Sequence, residues 1–288
     1  MSMPVVAVIN RKGGSGKSTL ATQLAGCLAN RGSQVMLGDV DRQQSSLAWL
    51  RRRGAQPAKC AAIVGSAIGT QSVVRPPAGI THVVLDTPGG LQGYDLARIA
   101  MTADAILMPV SDSVFDRESA VHCHAELMTL PRVASGRCKV AVVGMRLDAR
   151  TKGAARMQEW AEQNGLVYAG SLRESQVYTR CAEQGLSLFD VPAAKVETDL
   201  AQWRPIVGWL DATWTATERL EAMSKAAIPV SAPSISPHAR RRTLVRAPLP
   251  VPASKAGPAS EFRTSRDTVR PPRAQRFGWL FTVFRAWA

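Results

Sequence analysis

Short β-branched runs alternate with longer stretches of helical spacing along most of the chain. Residues 5–9, Val-Val-Ala-Val-Ile, have the composition of a strand buried on both faces. Apolar residues from Leu20 to Leu28 recur at helical intervals, and Asn30-Arg31-Gly32 supplies a stop. The same reading predicts strands at 34–37, 60–64, 81–85, 105–110, 139–144 and 166–169. It predicts helices at 45–53, 91–102, 114–130, 151–164 and 196–221. Strands separated by helices of about ten residues or more imply right-handed crossovers and a mostly parallel, twisted sheet covered on both faces. The expected fold class is therefore α/β.

The pattern ends after Ala226. Residues 225–288 hold 12 Lys and Arg against Glu261 and Asp267, and nine of the chain's 18 prolines. Of the formal net charge of +14 over 288 residues, only +4 falls on residues 1–224. A near-neutral domain followed by a basic, Pro-rich tail is the organisation this predicts. The segment 225–276 offers too little apolar surface to offset the entropy of ordering it, and a disordered linker is expected. Residues 277–288 differ again, with Phe277, Trp279, Phe281, Phe284 and Trp287 following a run of arginines. As a short helix they would present an aromatic face suited to an anionic membrane surface or to a partner's groove.

Five scattered cysteines without a C-x-x-C pair read as reduced thiols, which points to the cytoplasm. The apolar start runs straight into a Gly-rich loop, so no signal peptide is expected, and no run approaches the ~20 apolar residues of a membrane span. His122 and His124 flank Cys123, but residues two apart on a helix point about 200° apart and do not share an ion readily.

The chemistry concentrates between the first strand and the first helix. Gly13, Gly14, Ser15, Gly16, Lys17, Ser18 and Thr19 form a Gly-rich loop opening a helix. Glycines let consecutive backbone N–H groups converge on phosphate oxygens, and the helix adds its positive end. Lys17 is placed to reach the β- and γ-phosphates of a nucleotide, and the Ser18 hydroxyl to bind Mg²⁺. Arg11 stands where a strict G-x-x-x-x-G-K-[ST] loop begins with glycine. Asp39 and Asp86 each end a predicted strand, where a carboxylate can hold Mg²⁺ directly or through water.

The segment Lys12–Ser18 resembles the deviant Walker A motif of the ParA/MinD ATPases, including its additional signature lysine, here Lys12. Asp39-Val40-Asp41-Arg42-Gln43 is similar to that family's second acidic motif, with Arg42 in place of the usual proline. Val83–Pro88 resembles its Walker B segment, and Met108 through Asp116 its later P-x-x-x-S-x-x-D pattern, with Asp112 where proline is common. The resemblance spans about residues 4–210. It implies a P-loop ATPase domain over 1–224, with ATP and Mg²⁺ as cofactors. Asp41 would orient the attacking water, and Lys12 would cross to the phosphates of a second subunit in an ATP-sandwiched homodimer. It further implies a cargo or adaptor protein that stimulates hydrolysis, and non-specific DNA binding. Arg146, Arg150, Lys152, Arg156, Arg173 and Arg180 are the candidate DNA-facing cations. Met145-Arg146 stands where the family often has an Asn-Arg pair beside adenine.

Two functions follow from these features. One is a nucleoid-associated ATPase that partitions or positions a cargo. The other is a MinD-like peripheral ATPase at the inner membrane, regulating a machine such as a polysaccharide synthase. A ligase or reductase on the same fold is a third and weaker reading, and Cys123 and Cys138 sit outside loops that could ligate an iron–sulfur cluster. If the tail is a membrane anchor, deleting residues 277–288 abolishes sedimentation with anionic liposomes and leaves nucleotide binding intact. Binding by the full chain should weaken as salt rises, since exposed charges are screened beyond about 10 Å at 0.1 M. Retained liposome binding after deletion, or none by the intact chain, removes the membrane reading.

Overall fold

The computed structural model of the chain describes residues 3–69, 72–148 and 151–226, with side chains to residue 217. Alternation of Val5, Ala7 and Ile9 with Val6 and Val8 sends side chains to opposite faces of strand β1 (Val5–Val8) and its extension. Both sets are buried, which is why the run reads as continuously apolar. Helix α1 (Lys17–Asn30) follows, then β2 (Val35–Asp39), α2 (Ser45–Gly54), β3 (Val64–Ala67) and β4 (His82–Asp86). The next elements are α3 (Gly93–Thr102), β5 (Ala105–Ser111), α4 (Val114–Met128) and the short α5 (Pro131–Ala134). The described chain closes with β6 (Lys139–Leu147), α6 (Gly153–Gln163), β7 (Tyr168–Arg173), α7 (Gln176–Glu183), two 3₁₀ turns and α8 (Glu197–Ala226).

The seven strands among the described residues are all parallel, in the order β3-β2-β4-β1-β5-β6-β7. The chain winds outward in both directions from β1, so the C-terminal end of β1 faces the crevice where the strand order reverses. One apolar layer, with Leu96, Ile99, Ala120, Cys123, Leu127 and Met157, lies under α3, α4 and α6. The other, with Leu20, Leu24, Trp49, Tyr178, Trp203, Ile206 and Leu210, lies under α1, α2, α7 and α8. This is the doubly covered parallel sheet expected from the pattern.

Three local expectations are corrected. The third strand runs over Val64–Ala67, not 60–64, because the pairing that defines it is Met36 with Val64 through Asp39 with Ala67. Residues 60–63 instead cover α2, where the Ala61 carbonyl accepts from Arg53 Nε at 2.9 Å. Strand β7 begins two residues later and ends four later than expected, at Tyr168 and Arg173. Helix α7 was not anticipated. It buries only Tyr178 and Cys181, and its start is fixed by the Ser175 hydroxyl accepting from Val177 N. The expected domain boundary at 224 falls within α8, and the expected aromatic helix at 277–288 lies outside the described residues.

A buried ion pair joins the elements on the α1/α2 side. The Arg53 guanidinium donates to both oxygens of Asp190, at 2.7 and 3.0 Å, and lies over the Trp49 ring. Its side chain is 3% exposed and that of Asp190 is 0%. Asp190 also accepts from Ser187 and Asn30. Gly185 permits the approach: at φ 70 it abuts Arg53, and an added Cβ would stand 2.2 Å from the Arg53 amide nitrogen. Burial raises the Asp190 carboxyl, but Arg53, Ser187 and Asn30 outweigh it and hold it below the ordinary carboxylate value. The pair's contribution is thus present above the unfolded carboxylate range and is lost as pH falls through the lowered folded value. Asp190→Asn should cost about 3–5 kcal/mol near neutral pH by leaving Arg53 buried and uncompensated. In urea unfolding the gap from the unsubstituted chain should narrow in strong acid. A pH-independent gap would refute this account.

Candidate functional site

The site lies at the C-terminal ends of β1, β2 and β4. Residues 11–16 leave β1 as a loop and enter α1 at Lys17, with Gly14 and Gly16 at φ 75 and 95. Side chains rarely adopt these angles, so the glycines are required where they stand. Gly16 is also approached by Met145 from the end of β6, whose Cε would lie 2.9 Å from an added Cβ. Asn10 pins the loop's start. Its Nδ2 donates to the Pro109 carbonyl at 2.6 Å, and its Oδ1 accepts from Lys12 N at 2.9 Å. A fully buried Asn after an apolar strand is a signal that the sequence reading passed over.

Lys17 is 7% exposed, and its Nζ donates to the Lys12 carbonyl at 3.0 Å. Burial lowers its ammonium below the ordinary lysine value, while Asp86 and Asp41 pull it back up. Asp39 and Asp86 are direct register partners across β2 and β4, so the two strand-end acids come together as expected. Their environments differ. Both Asp39 oxygens accept backbone N–H groups, from Asp41 at 3.1 Å and Leu47 at 3.0 Å, which shapes the loop carrying Asp41. Asp86 accepts the Ser46 hydroxyl on Oδ2 at 2.7 Å, while its Oδ1 is buried without a partner. Burial pushes the Asp86 carboxyl up to about 6, against the opposing hydrogen bonds of Ser46 and Ser18. A buried carboxylate oxygen with no partner, beside a serine at the first turn of a helix, fits a hard cation with oxygen ligands. Asp86 and Ser18 are the residues best disposed to hold Mg²⁺, with Asp39 next to them. Ser46 is a second functional residue missed from sequence, because only the fold brings α2 over β4.

A cleft of about 670 Å³ opens from this point, a size that suits a nucleotide. Lys17, Asp41, Pro88 and Gly89 line one end, and Met145, Arg146, Leu172 and Glu174 to Gln176 line the other. Arg146 has φ 53, an unusual angle for a residue with a side chain, and its guanidinium donates to the Gly14 carbonyl at 2.8 Å. Lys12 does not project free. It is paired with Asp116, which is also bonded by Ser111, and its Nζ lies 5.8 Å from the Phe115 ring centre. Burial would raise the Asp116 carboxyl, but Lys12 and Ser111 outweigh it and lower it.

The candidate DNA-facing cations have different neighbours. Arg146 belongs to the cleft. Arg173 makes a two-pronged pair with Asp199 at 2.7 and 2.9 Å, and Arg156 pairs with Asp112 at 2.6 Å. Arg146, Lys152, Arg156 and Arg180 are all exposed, and Arg150 lies outside the described residues. Among the described residues no cluster of three or more His, Cys, Asp or Glu is placed to hold a metal, and no helix is long and apolar enough to cross a membrane.

A glycine loop cradling a helix N-terminus at the centre of a doubly wound parallel sheet defines a nucleotide-binding P-loop protein. Residues 6–223 match the model of the CobQ/CobB/MinD/ParA nucleotide binding domain, and the chain belongs to that family. It is 29% identical over 218 residues to a maintenance of carboxysome distribution protein A from Gloeobacter kilaueensis, spanning 73% of this chain and 95% of that one. A protein of the same name from Halothiobacillus neapolitanus is 29% identical over 193 residues, 65% of this chain and 88% of that one. Among solved structures, an ATP complex of Cyanothece McdA superposes with a TM-score of 0.54 at 18% identity, covering 72% of this chain and 94% of that one. A chain of the MinC:MinD cell division protein complex of Aquifex aeolicus gives 0.51 at 16% identity, covering 80% of this chain and 98% of that one. At these identities the likeness is one of fold.

Lys17→Ala should weaken binding of a fluorescent ATP analogue by about ten- to a hundredfold, the loss of a hydrogen-bonded charge. Near-normal affinity would show that the phosphates lie elsewhere.

Proposed function

We propose that the chain is an ATP-hydrolysing, ATP-dimerised ATPase that binds DNA non-specifically and positions a cargo. The observation that carries this reading is that Lys17 and Asp41 line one end of a nucleotide-sized cleft, with Asp86 buried close to Lys17 and the signature Lys12 bonded to Lys17 through its carbonyl. Phosphoryl transfer needs little covalent chemistry from a protein; it needs positioning and charge neutralisation. Lys17 and the amides of residues 13–19 would hold the phosphates, and Asp86 and Ser18 would hold Mg²⁺. The ion supplies charge neutralisation between phosphate oxygens when bound. Asp41 would orient the water: its Oδ1 accepts from Gln43 N at 2.9 Å, which fixes the carboxylate on its loop.

Lys12 gives the reading its dimeric form. In the isolated chain its charge is already neutralised by Asp116, so reaching another subunit's phosphates requires exchange of one anion for another. That exchange would make dimerisation depend on ATP. The relatives named for carboxysome distribution support a large protein assembly as cargo; an adaptor protein that stimulates hydrolysis would complete the cycle. The exposed Arg146, Lys152, Arg156 and Arg180 are the described candidates for phosphate contacts with DNA, an interaction that needs charge rather than base reading. The peripheral-membrane alternative rests on the aromatic, Arg-flanked residues 277–288, which lie outside the described residues.

Asp41→Ala should keep Mg·ATP binding and lower phosphate release by about a hundredfold, the usual scale for losing one positioned polar group. It should thereby accumulate a dimer visible by light scattering, which co-sediments with DNA only when ATP is present. Unchanged turnover with monomer alone would remove Asp41 from the role. An ATP-trapped dimer that sediments with anionic liposomes and not with DNA would favour the membrane alternative.

A further inference from the structure

Two consecutive cations of the phosphate loop are tied to one helix. Lys12 pairs with Asp116 near the start of α4, and Arg11 pairs with Glu126 near its end. Arg11 is the residue that departs from a strict phosphate loop, and the nucleotide chemistry above makes no use of it. Its side chain is 28% exposed, and its Nε is buried without a hydrogen-bond partner, so the guanidinium depends on Glu126 for compensation.

Glu126 has a second contact. Its Oε1 accepts the N–H of Gly93, the first residue of α3, at 2.7 Å. The backbone of Arg11 holds the same segment from its other end, since the Arg11 carbonyl accepts from Gly90 N at 2.6 Å. Gly89 lies against the phosphate loop itself: an added Cβ would stand 3.4 Å from Gly13 Cα and N. Residue 11 thus fastens the segment 89–93 at both ends, at Gly90 through backbone and at Gly93 through Glu126. Gly90 and Gly93 have φ 75 and 57, so the segment follows a path that regular structure does not impose. Pro88 and Gly89, at its head, line the cleft beside Lys17 and Asp41.

We propose that the Arg11–Glu126 ion pair is a positioning device that fixes the loop of Pro88 and Gly89 at the terminal-phosphate end of the cleft. The inference rests on the ATPase reading above. Neither residue touches the cleft, so both act through the loop. A nucleoside diphosphate does not occupy that end and should be insensitive to the pair. A triphosphate, and its hydrolysis, should depend on it.

The experiment uses the full chain with Arg11→Ala, Glu126→Ala, the double variant, and Arg11→Lys, which keeps the charge. Equilibrium affinities for fluorescent ADP and ATP analogues are measured beside steady-state phosphate release, and ADP binding doubles as the control for folding. Either alanine variant should leave ADP affinity within about twofold and lower kcat/KM for ATP by about tenfold, the scale of coupling through a positioned element. The double variant should be no worse than either single, since both remove one interaction. Arg11→Lys should recover most of the loss. Equal loss of ADP and ATP affinity, additive single effects, or unchanged kcat/KM in every variant would overturn the proposal. If the unsubstituted chain bound neither nucleotide, the ATPase reading would fall first and this inference with it. A chain that binds and hydrolyses ATP while the variants match it refutes the ion pair's role alone.

Discussion

The arrangement depends on one electrostatic constraint: a buried lysine lines the cleft, and a buried carboxylate lies close beside it. Lys17 hydrogen-bonds a backbone carbonyl, and Asp86 keeps one oxygen without a partner. Charged groups held out of water are costly unless something compensates them. A phosphate chain with a divalent cation would answer both, the anion to Lys17 and the loop amides, the cation to Asp86. The parallel sheet makes the juxtaposition possible, because every strand ends on the same side and Asp39 and Asp86 fall in register. Winding outward from β1 then leaves the crevice open above the loop.

Around that centre, the polar contacts shape the approaches to the cleft. Asp39 gives both oxygens to backbone amides and so fixes the loop of Asp41. Ser46 ties α2 to Asp86, which links that loop to the candidate metal position. Asn10 anchors the phosphate loop to β5. Helix α4 holds the other side through Asp116 and Glu126, with Lys12 and Arg11 as their partners. Each contact joins a segment that would respond to nucleotide to an element that would not.

The Arg53–Asp190 pair marks the boundary between machinery and scaffold. It is far from the phosphate end in role, being buried and satisfied by Trp49, Ser187 and Asn30. Its work is to lock α2 to the turn after α7 within one apolar layer.

The sequence by itself determined the fold class, the place of the phosphate loop, and the pair Asp39 and Asp86. Those signals are local: β-branched runs, helical spacing, and glycines at fixed offsets before a lysine. It also carried Asp41 and Lys12 through motif likeness. What only the tertiary structure decided is what each group faces. The residues 60–63 look like a strand, yet pairing places β3 at Val64–Ala67, because a strand exists only where a neighbour offers its backbone. Helix α7 spans only eight residues, too few to stand out between its neighbours, and its packing rests on Tyr178 meeting Trp203 at 3.2 Å across 25 residues. The cations at 146, 156 and 173 look alike in sequence, and long-range partners divide them among cleft, Asp112 and Asp199. Ser46, Asn10 and Glu126 carry no motif at all. Their roles come from contacts 33 to 99 residues away along the chain, and one sequence read locally does not encode such distances in any pattern.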